Sequence, residues 1–346
     1  MVKCVKIPLK NAQEVKKCLL EKNNINSKYK AKQEGEFIFF AIKKDFSCEG
    51  TKCKYEILDV DLDESIKPKL TAKPYREVLA EILNEEEMKI AKSAYDHLGA
   101  IAIIEVPEGL RSKEKEIAQA LINSNPLVKT VLRKDGIHDG VFRAQKMKYL
   151  VGEDTRVAEY RENGCTLQVD VEEVYFSARL STERKRISEQ IQDGEDVLVM
   201  FSGAAPYPSV ICKQTKARSI VGVEINPSGH KYGLINIKKN KCKNVELFCG
   251  DVREVVPKLE RQFDRIIMPL PKTAEEFLDV AIPVARKRAM IHLYAFYHEE
   301  DFDKARQEIN KYCENLNRKY EIIEMVKAGQ HAPRTWRICV DFKLLN

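Results

Sequence analysis

From residue 196 onward the chain alternates apolar runs with helix-compatible stretches. DVLVMF (196–201) is uniformly apolar after its first residue, the pattern of a parallel strand buried on both faces. It breaks at Ser202-Gly203 into a loop of small residues, and a helix-compatible segment follows from Ser209. SIVGVEIN (219–226), VELFCGD (245–251), FDRIIMPLP (263–271) and AMIHLYAFY (289–297) repeat the apolar pattern, with helical stretches between them. The chain closes on YEIIEMVKAG (320–329) and TWRICVDFKLL (335–345), two strands with no helix between them. The pattern predicts parallel βα units that finish in a hairpin.

Upstream the elements are shorter and mixed. CVKIPL (4–9) and EFIFFAIK (36–43) read as strands around an amphipathic helix, NAQEVKKCLLEKN (11–23). DLDESIKPKLTAKPYRE (61–77) carries charge and two prolines, which is linker composition. Helices dominate from Tyr75 until the strand HLGAIAIIEVP (97–107); a helix over Glu108–Asn123 and the strand VKTVLRK (128–134) follow. Residues 135–161 are polar and glycine-containing, with basic residues at Arg143, Lys146, Lys148 and Arg156. The predicted division is a small α+β domain over 1–62, a linker over 63–74, a middle α+β domain over 75–170 and an α/β domain over 171–346.

At 346 residues the chain exceeds one ordinary core. With 44% hydrophobic and 32% charged residues it reads as a globular, cytoplasmic protein with no membrane association; MVKCVKIPLK has no apolar signal core. A net charge of +6 is modest, so a nucleic-acid surface would come from local clustering. The ten cysteines are scattered. The nearest pair, Cys48 and Cys53, has no matching second pair or histidine partner, so the cysteines read as buried or incidental thiols and no metal is expected.

Candidate chemistry gathers at the carboxyl ends of successive strands, where open α/β sheets bind ligands. The loop at Phe201, Ser202 and Gly203 allows close backbone approach. Glu224 and Ile225 end the second strand, and an acid about twenty residues after the loop suits the hydroxyls of a ribose. Asp251 and Val252 follow the third strand; Asp251 can accept from an adenine amino group or simply cap the next helix. Pro269 and Leu270 open a proline-stiffened loop, MPLPK, after the fourth. Nicotinamide-binding domains continue in parallel units, whereas class I methyltransferases close with an antiparallel hairpin. The hairpin finish therefore selects S-adenosylmethionine as the cofactor.

YFSARLSTERKRI, FSGAAPYP, VEINP, GDVRE, MPLPK and the terminal HAPRTW together resemble the archaeal and eukaryotic tRNA guanine-N1 methyltransferases, over essentially the whole chain. The resemblance implies a class I (Rossmann-like) α/β catalytic domain with a terminal antiparallel hairpin, preceded by two small α+β domains that recognise RNA. It also implies a monomer acting on tRNA, at the guanosine immediately 3′ of the anticodon. Residue by residue, it makes Glu183 the general base for the N1 proton and places Arg143 near guanine O6, where negative charge develops. It gives Tyr175 and Arg179 the pocket between cofactor and base, Arg184 an orienting role, and Pro269 a place beside the acceptor base. By spacing alone, Thr182 would cap a solvated helix with Glu183 and Arg184 as surface charges. Two positions depart from the family pattern: Val199 stands where many relatives have an acid, and Pro269 where an asparagine is common. Proline offers neither a side-chain amide nor a backbone N–H. Methylation of a wyosine precursor, aminocarboxypropyl transfer and a catalytically silent tRNA-binding protein are the competing expectations.

Overall fold

The computed structural model describes residues 2–22, 24–26, 29, 31–45, 55–62, 73–136, 142, 145–270 and 272–346. The chain divides into two compact units, Met1–Lys73 and Pro74–Asn346. Of the expected linker, only Lys73 and Pro74 fall among the described residues; Arg143, Cys48 and Cys53 fall outside them.

In the first unit, β1 (Val2–Pro8), α1 (Ala12–Glu21), β2 (Lys32–Glu34), β3 (Phe37–Ala41) and β4 (Glu56–Val60) form an antiparallel sheet of order β2-β3-β1-β4 with one helix. Val15 and Leu19, four apart on α1, share one face of the helix and pack on Val5, Ile7, Phe40 and Ile42. Cys4, Phe39, Ala41 and Leu62 form a second apolar group.

The second unit opens with α2 (Tyr75–Ile82) and α3 (Glu85–Ile90), the latter started by an Asn84–Glu87 capping box. β5 (Asp96–Leu98), β6 (Ile101–Ile104), α4 (Glu114–Ser124), β7 (Thr130–Lys134) and β8 (Met147–Gly152) make a four-stranded sheet in sequence order, in which only the β6–β7 pair, spanned by α4, is parallel. β9 (Val157–Glu162) and β10 (Cys165–Asp170) form an antiparallel ribbon. Two of these strands, β8 and β9, run through the polar, glycine-containing stretch in which the sequence pattern named no element. Their inward residues, Met147, Leu150 and Ala158, are isolated among polar outward ones. This middle layer packs on the catalytic part through a cluster that joins Leu98, Ile101 and Leu132 to Ala158, Val169, Ala204 and Tyr232.

After α5 (Ser181–Glu189), the catalytic sheet follows as β11 (Asp196–Met200), α6 (Pro206–Gln214), β12 (Ser219–Glu224), α7 (Pro227–Lys239), β13 (Val245–Cys249), α8 (Val252–Lys258), β14 (Phe263–Met268), α9 (Leu278–Ala281), β15 (Ala285–His298), α10 (Phe302–Asn315), β16 (Tyr320–Ala332) and β17 (Thr335–Leu344). Its order is β13-β12-β11-β14-β15-β17-β16, with the first five strands parallel and β17 antiparallel between β15 and β16. The predicted hairpin finish is present, and the fold is the expected class I α/β sheet.

The cysteine expectation is corrected. Cys212 on α6 and Cys242 just past α7 are joined in a disulfide, with Cα atoms 5.9 Å apart, and Cys18 is disulfide-bonded as well. Cys4, Cys165, Cys249, Cys313 and Cys339 are free. Packing of α6 beside α7 brings together two cysteines 30 residues apart, which their scattered spacing could not reveal.

Candidate active site

The strand order reverses between β11 and β14, so the chain winds away in opposite directions from these neighbours and leaves a crevice beyond their carboxyl ends. On one side, Phe201 (φ 59°), Gly203 (φ 56°) and Ala205 (φ 57°) turn the chain sharply from β11 into α6. The Ser202 N–H donates to the Val223 carbonyl at 2.8 Å, which ties this turn to β12. A Cβ built on Gly203 would meet nothing nearer than the Tyr175 carbonyl at 4.0 Å, so the Gly203 backbone borders open space next to Tyr175.

Glu224, at the tip of β12, reaches back to this loop. Its carboxylate accepts the N–H groups of Gly203 at 2.6 Å and Asn226 at 2.8 Å. Gly229 makes room for it, because a Cβ there would lie 3.0 Å from the Glu224 Cγ. Burial pushes the Glu224 carboxyl above its ordinary range, and the N–H groups of Asn226, Gly203 and Ile225 pull it back. A carboxylate has about four acceptor positions. Glu224 therefore shapes the loop and keeps capacity for a hydroxyl donor.

Asp251 caps α8 by accepting from the Arg253 N–H at 2.8 Å, and Val252 is buried behind it. The capping reading of Asp251 is thus realised, through Oδ1. Phe201 meets Phe277 edge-on at 4.9 Å, and the Arg253 guanidinium lies 4.7 Å from the Phe277 ring centre. Pro269 and Leu270 are half-buried at the end of β14.

The segment before β11 departs most from its surface reading. Leu180, not Thr182, is the N-cap of α5, and Glu183 and Arg184 are both buried. Arg184 is held by a two-pronged pair with Glu162 (2.5 and 2.6 Å) and by the Ser177 carbonyl at 3.1 Å, which anchors α5 to β9. Glu183 receives both prongs of Arg186 (2.9 and 2.7 Å) and the Tyr294 hydroxyl at 2.6 Å. Tyr294 is in turn 2.8 Å from the Tyr207 hydroxyl. Tyr207 stands in the first turn of α6, just past the Gly203 loop. Tyr294 follows Leu293, which pairs with Met268, so it is level with Pro269. Two hydrogen bonds through buried tyrosines thus connect Glu183 to the elements on both sides of the crevice, β15 and the start of α6.

Arg186 also donates to Asp341 on β17 at 2.6 Å, and the Asp341 carboxylate lies 2.7 Å from His292 Nδ1. His292 Nε2 is 2.7 Å from Arg265, whose guanidinium also pairs with Glu195 at 2.7 Å. Arginine can only donate, so His292 Nε2 must accept and the ring proton sits on Nδ1, facing Asp341. His292, Cys339 and Asp341 have metal-ligating atoms within 4.8 Å of one another. Arg186 and Arg265 already engage Asp341 and His292, so this group reads as an internal hydrogen-bond junction.

Tyr175 sits at the crevice and accepts from Arg337 at 3.2 Å. Arg179 points elsewhere and pairs with Asp96 of the middle layer at 2.6 Å. The crevice thus gathers Tyr175, Phe201, Ser202, Gly203, Glu224, Ile225, Asp251, Pro269 and Leu270, with Glu183 behind it. Sequence reasoning missed Arg186, Tyr207, Tyr294, Phe277 and Asp341. The one available signal was polar residues set in apolar runs, as in IHLYAFY and CVDF.

The chain matches the TRM5/TYW2 methyltransferase domain over residues 158–323, the TYW2 N-terminal domain over 75–155 and the tRNA methyltransferase 5 N-terminal domain over 4–48. It is 35% identical to the tRNA (guanine(37)-N(1))-methyltransferase Trm5b of Pyrococcus abyssi, across 99% of both chains. The chain belongs to the TRM5/TYW2 methyltransferase family. Another member, the tRNA (guanine(37)-N(1))/4-demethylwyosine(37)-methyltransferase Taw22 of Nanoarchaeum equitans, is 32% identical over 73% of this chain and its own full length. The solved complex of aTrm5 with tRNALeu has 29% identity and a TM-score of 0.71, covering 99% of each chain. Trm5 of Methanocaldococcus jannaschii, solved with adenosine, has 29% identity and a TM-score of 0.67 over the same share. S-adenosylmethionine is the cofactor of this TRM5/TYW2 chain. The open space at Gly203 and the spare acceptor capacity of Glu224 fit its ribose, and the loop after β11 admits close backbone approach.

Two outcomes follow for this site. Glu224→Ala should weaken S-adenosylmethionine by roughly 10- to 100-fold, the loss expected for a charged hydrogen bond, with tRNA affinity intact. Calorimetric titration showing an unchanged dissociation constant would remove Glu224 from ribose binding. The second concerns acid stability. Burial lowers the folded-state pKa of His292, so below about pH 6.5 the unfolded chain takes up a proton that the folded one refuses. Melting temperature should therefore fall between pH 7 and 5, and His292→Asn should flatten that slope. His230, also lowered by burial, leaves a residual slope. An unchanged slope in His292→Asn would overturn the assignment.

Proposed function

We propose that this protein methylates N1 of the guanosine at tRNA position 37, using S-adenosylmethionine. The reading rests on end-to-end similarity to Trm5b, supported by a buried carboxylate, Glu183, that two buried tyrosines tie to elements on both sides of the crevice. Bound cofactor supplies an electrophilic methyl group on sulfonium sulfur. The residues do the rest. Glu224 and the Gly203 loop hold the ribose, and Glu183 accepts the N1 proton as the nitrogen lone pair turns to the methyl. Arg186 and Tyr294 fix the direction of the Glu183 carboxylate and leave acceptor capacity for N1–H. Arg143 is assigned to guanine O6, and Tyr175 to one wall of the base pocket. Arg184 acts from behind, by anchoring α5 through Glu162. The target base must leave its stack to reach this crevice, at a cost of a few kcal/mol.

A second reading is favoured by one residue. Pro269 removes the hydrogen-bonding partner common in relatives at the acceptor loop, which relaxes the demand for guanine and leaves room for methylation of a tricyclic wyosine precursor. Methyl incorporation into tRNA carrying guanosine, adenosine or the tricyclic wyosine intermediate at position 37, followed by nucleoside mass spectrometry, separates the two. A product only on wyosine-intermediate tRNA would displace the guanine-N1 reading.

Glu183→Gln should lower the single-turnover methyl-transfer rate by ~100-fold or more with tRNA affinity nearly unchanged. A normal rate at neutral pH in a variant of unchanged melting temperature would take the base role from Glu183. The first unit, Met1–Lys73, is assigned to the tRNA body. Its removal should spare cofactor affinity and slow methylation of full-length tRNA more than of an isolated anticodon stem-loop. Equal loss on both substrates would exclude that role.

A further inference from the structure

The HAPRTW segment at the turn between β16 and β17 has no part in the chemistry above. Its first residue, His331, is exposed and sits at a register shift between Gln330 and Ala332, the kind of irregularity that re-aims a side chain. It does not point along its own strand pair. Its ring reaches across β17 and stacks on Phe296 of β15, with centroids 4.1 Å apart and planes 23° from parallel. Arg337, paired with Phe296 across the strands, holds its guanidinium 5.2 Å from the same ring and donates to the Tyr175 hydroxyl.

Arg337 differs from its neighbours. Arg334 pairs with Glu299 and Glu300, and Arg186 with Glu183 and Asp341. Arg337 has no acidic partner among the described residues, and its Nε is buried without a hydrogen bond there. A half-buried, uncompensated cation beside a histidine–phenylalanine stack has the two halves of a single-stranded nucleotide site: a flat ring for a base and a charge for a phosphate. Its position is specific. Phe296 lies two residues beyond Tyr294 on the same face of β15, about 7 Å further along the strand. Tyr175 joins the group to the crevice.

We infer that His331, Phe296 and Arg337 form a shelf for a nucleotide flanking the methylated one, with the base stacked on His331 and its phosphate taken by Arg337. The inference rests on the proposed tRNA reading and deepens it. The shelf holds the anticodon loop open while the target base occupies the crevice.

The test uses the full chain with full-length tRNA transcripts carrying 2-aminopurine at the 5′ or the 3′ neighbour of position 37. In the wild type, one of the two probes should be quenched on binding. His331→Ala should restore its fluorescence and weaken tRNA about 10-fold or more, whereas His331→Phe should preserve both the quench and the affinity. Arg337→Gln should weaken tRNA and reduce the slope of log affinity against log salt by about one. Cofactor affinity should stay unchanged throughout, and His331, being exposed, can be replaced without unfolding the chain. Normal tRNA affinity and an unaltered quench in both His331→Ala and Arg337→Gln would overturn the shelf. Methyl incorporation by the wild type reads the underlying function separately. A wild type that binds tRNA but never methylates guanosine sinks that function, and the shelf is then decided by quench and affinity alone.

Discussion

The arrangement on which the rest depends is a largely buried chain of charged and polar groups: Glu183, Arg186, Asp341, the neutral His292, Arg265 and Glu195. Buried charges are tolerable only when paired, and removing one partner typically costs about 3–5 kcal/mol because the other is left stranded. These six residues come from α5, β17, β15, β14 and the turn before β11, with partners up to 155 positions apart. The Glu183–Arg186 pair lies within α5, but the other links are not made until the sheet has its final order. Strand β17 must lie beside β15 before Asp341 can meet His292, and α5 must dock before Arg186 can reach Asp341. The same requirement that makes the chain costly to misassemble delivers Glu183, oriented, to the edge of the crevice.

Much of this was legible in the sequence. Uniform apolar runs announced the parallel strands, and the turn at Ser202-Gly203 and Glu224 at the next strand tip do stand together at the crevice, where the Glu224 carboxylate accepts the Gly203 N–H. The absence of a helix between the last two strands gave the closing hairpin. The failures share a cause. Glu183, Arg184 and Arg186 look like a solvated face because charge in sequence says nothing about what lies opposite. Their partners Glu162 and Asp341 are respectively 22 and 155 residues away. Strands β8 and β9 were hidden because each buries few apolar residues, and those of β8, Met147 and Leu150, go to different clusters, so no alternating stripe shows. The Cys212–Cys242 disulfide depends on two helices lying side by side, a relation that spacing does not encode.

The two departures from the family pattern have different physical weight. Val199 is fully buried in a cluster with Tyr207, Ile267 and Tyr294, so an apolar side chain suits its surroundings, and the neighbouring tyrosines carry the polar contact through their hydroxyls. Pro269 stands at the crevice mouth, where nothing in the core demands it. On the proposed function it subtracts a donor from the loop assigned to the acceptor base. The first change leaves the architecture intact, while the second bears on the base specificity proposed above.

Chemistry in this fold is therefore divided by depth. Glu183 is held within the core, where its carboxylate direction is set by Arg186 and Tyr294. Glu224 occupies the boundary, with part of its hydrogen-bonding capacity spent on the loop it shapes and part left for a ligand. His331 and Arg337, on the closing strands β16 and β17, and Tyr175, in the segment before α5, lie outermost, where an uncompensated charge and exposed rings can meet a flexible polyanion. On the proposed function, a base drawn from its stack meets the outer groups first and Glu183 last, where burial makes each hydrogen bond worth more than it is at the surface.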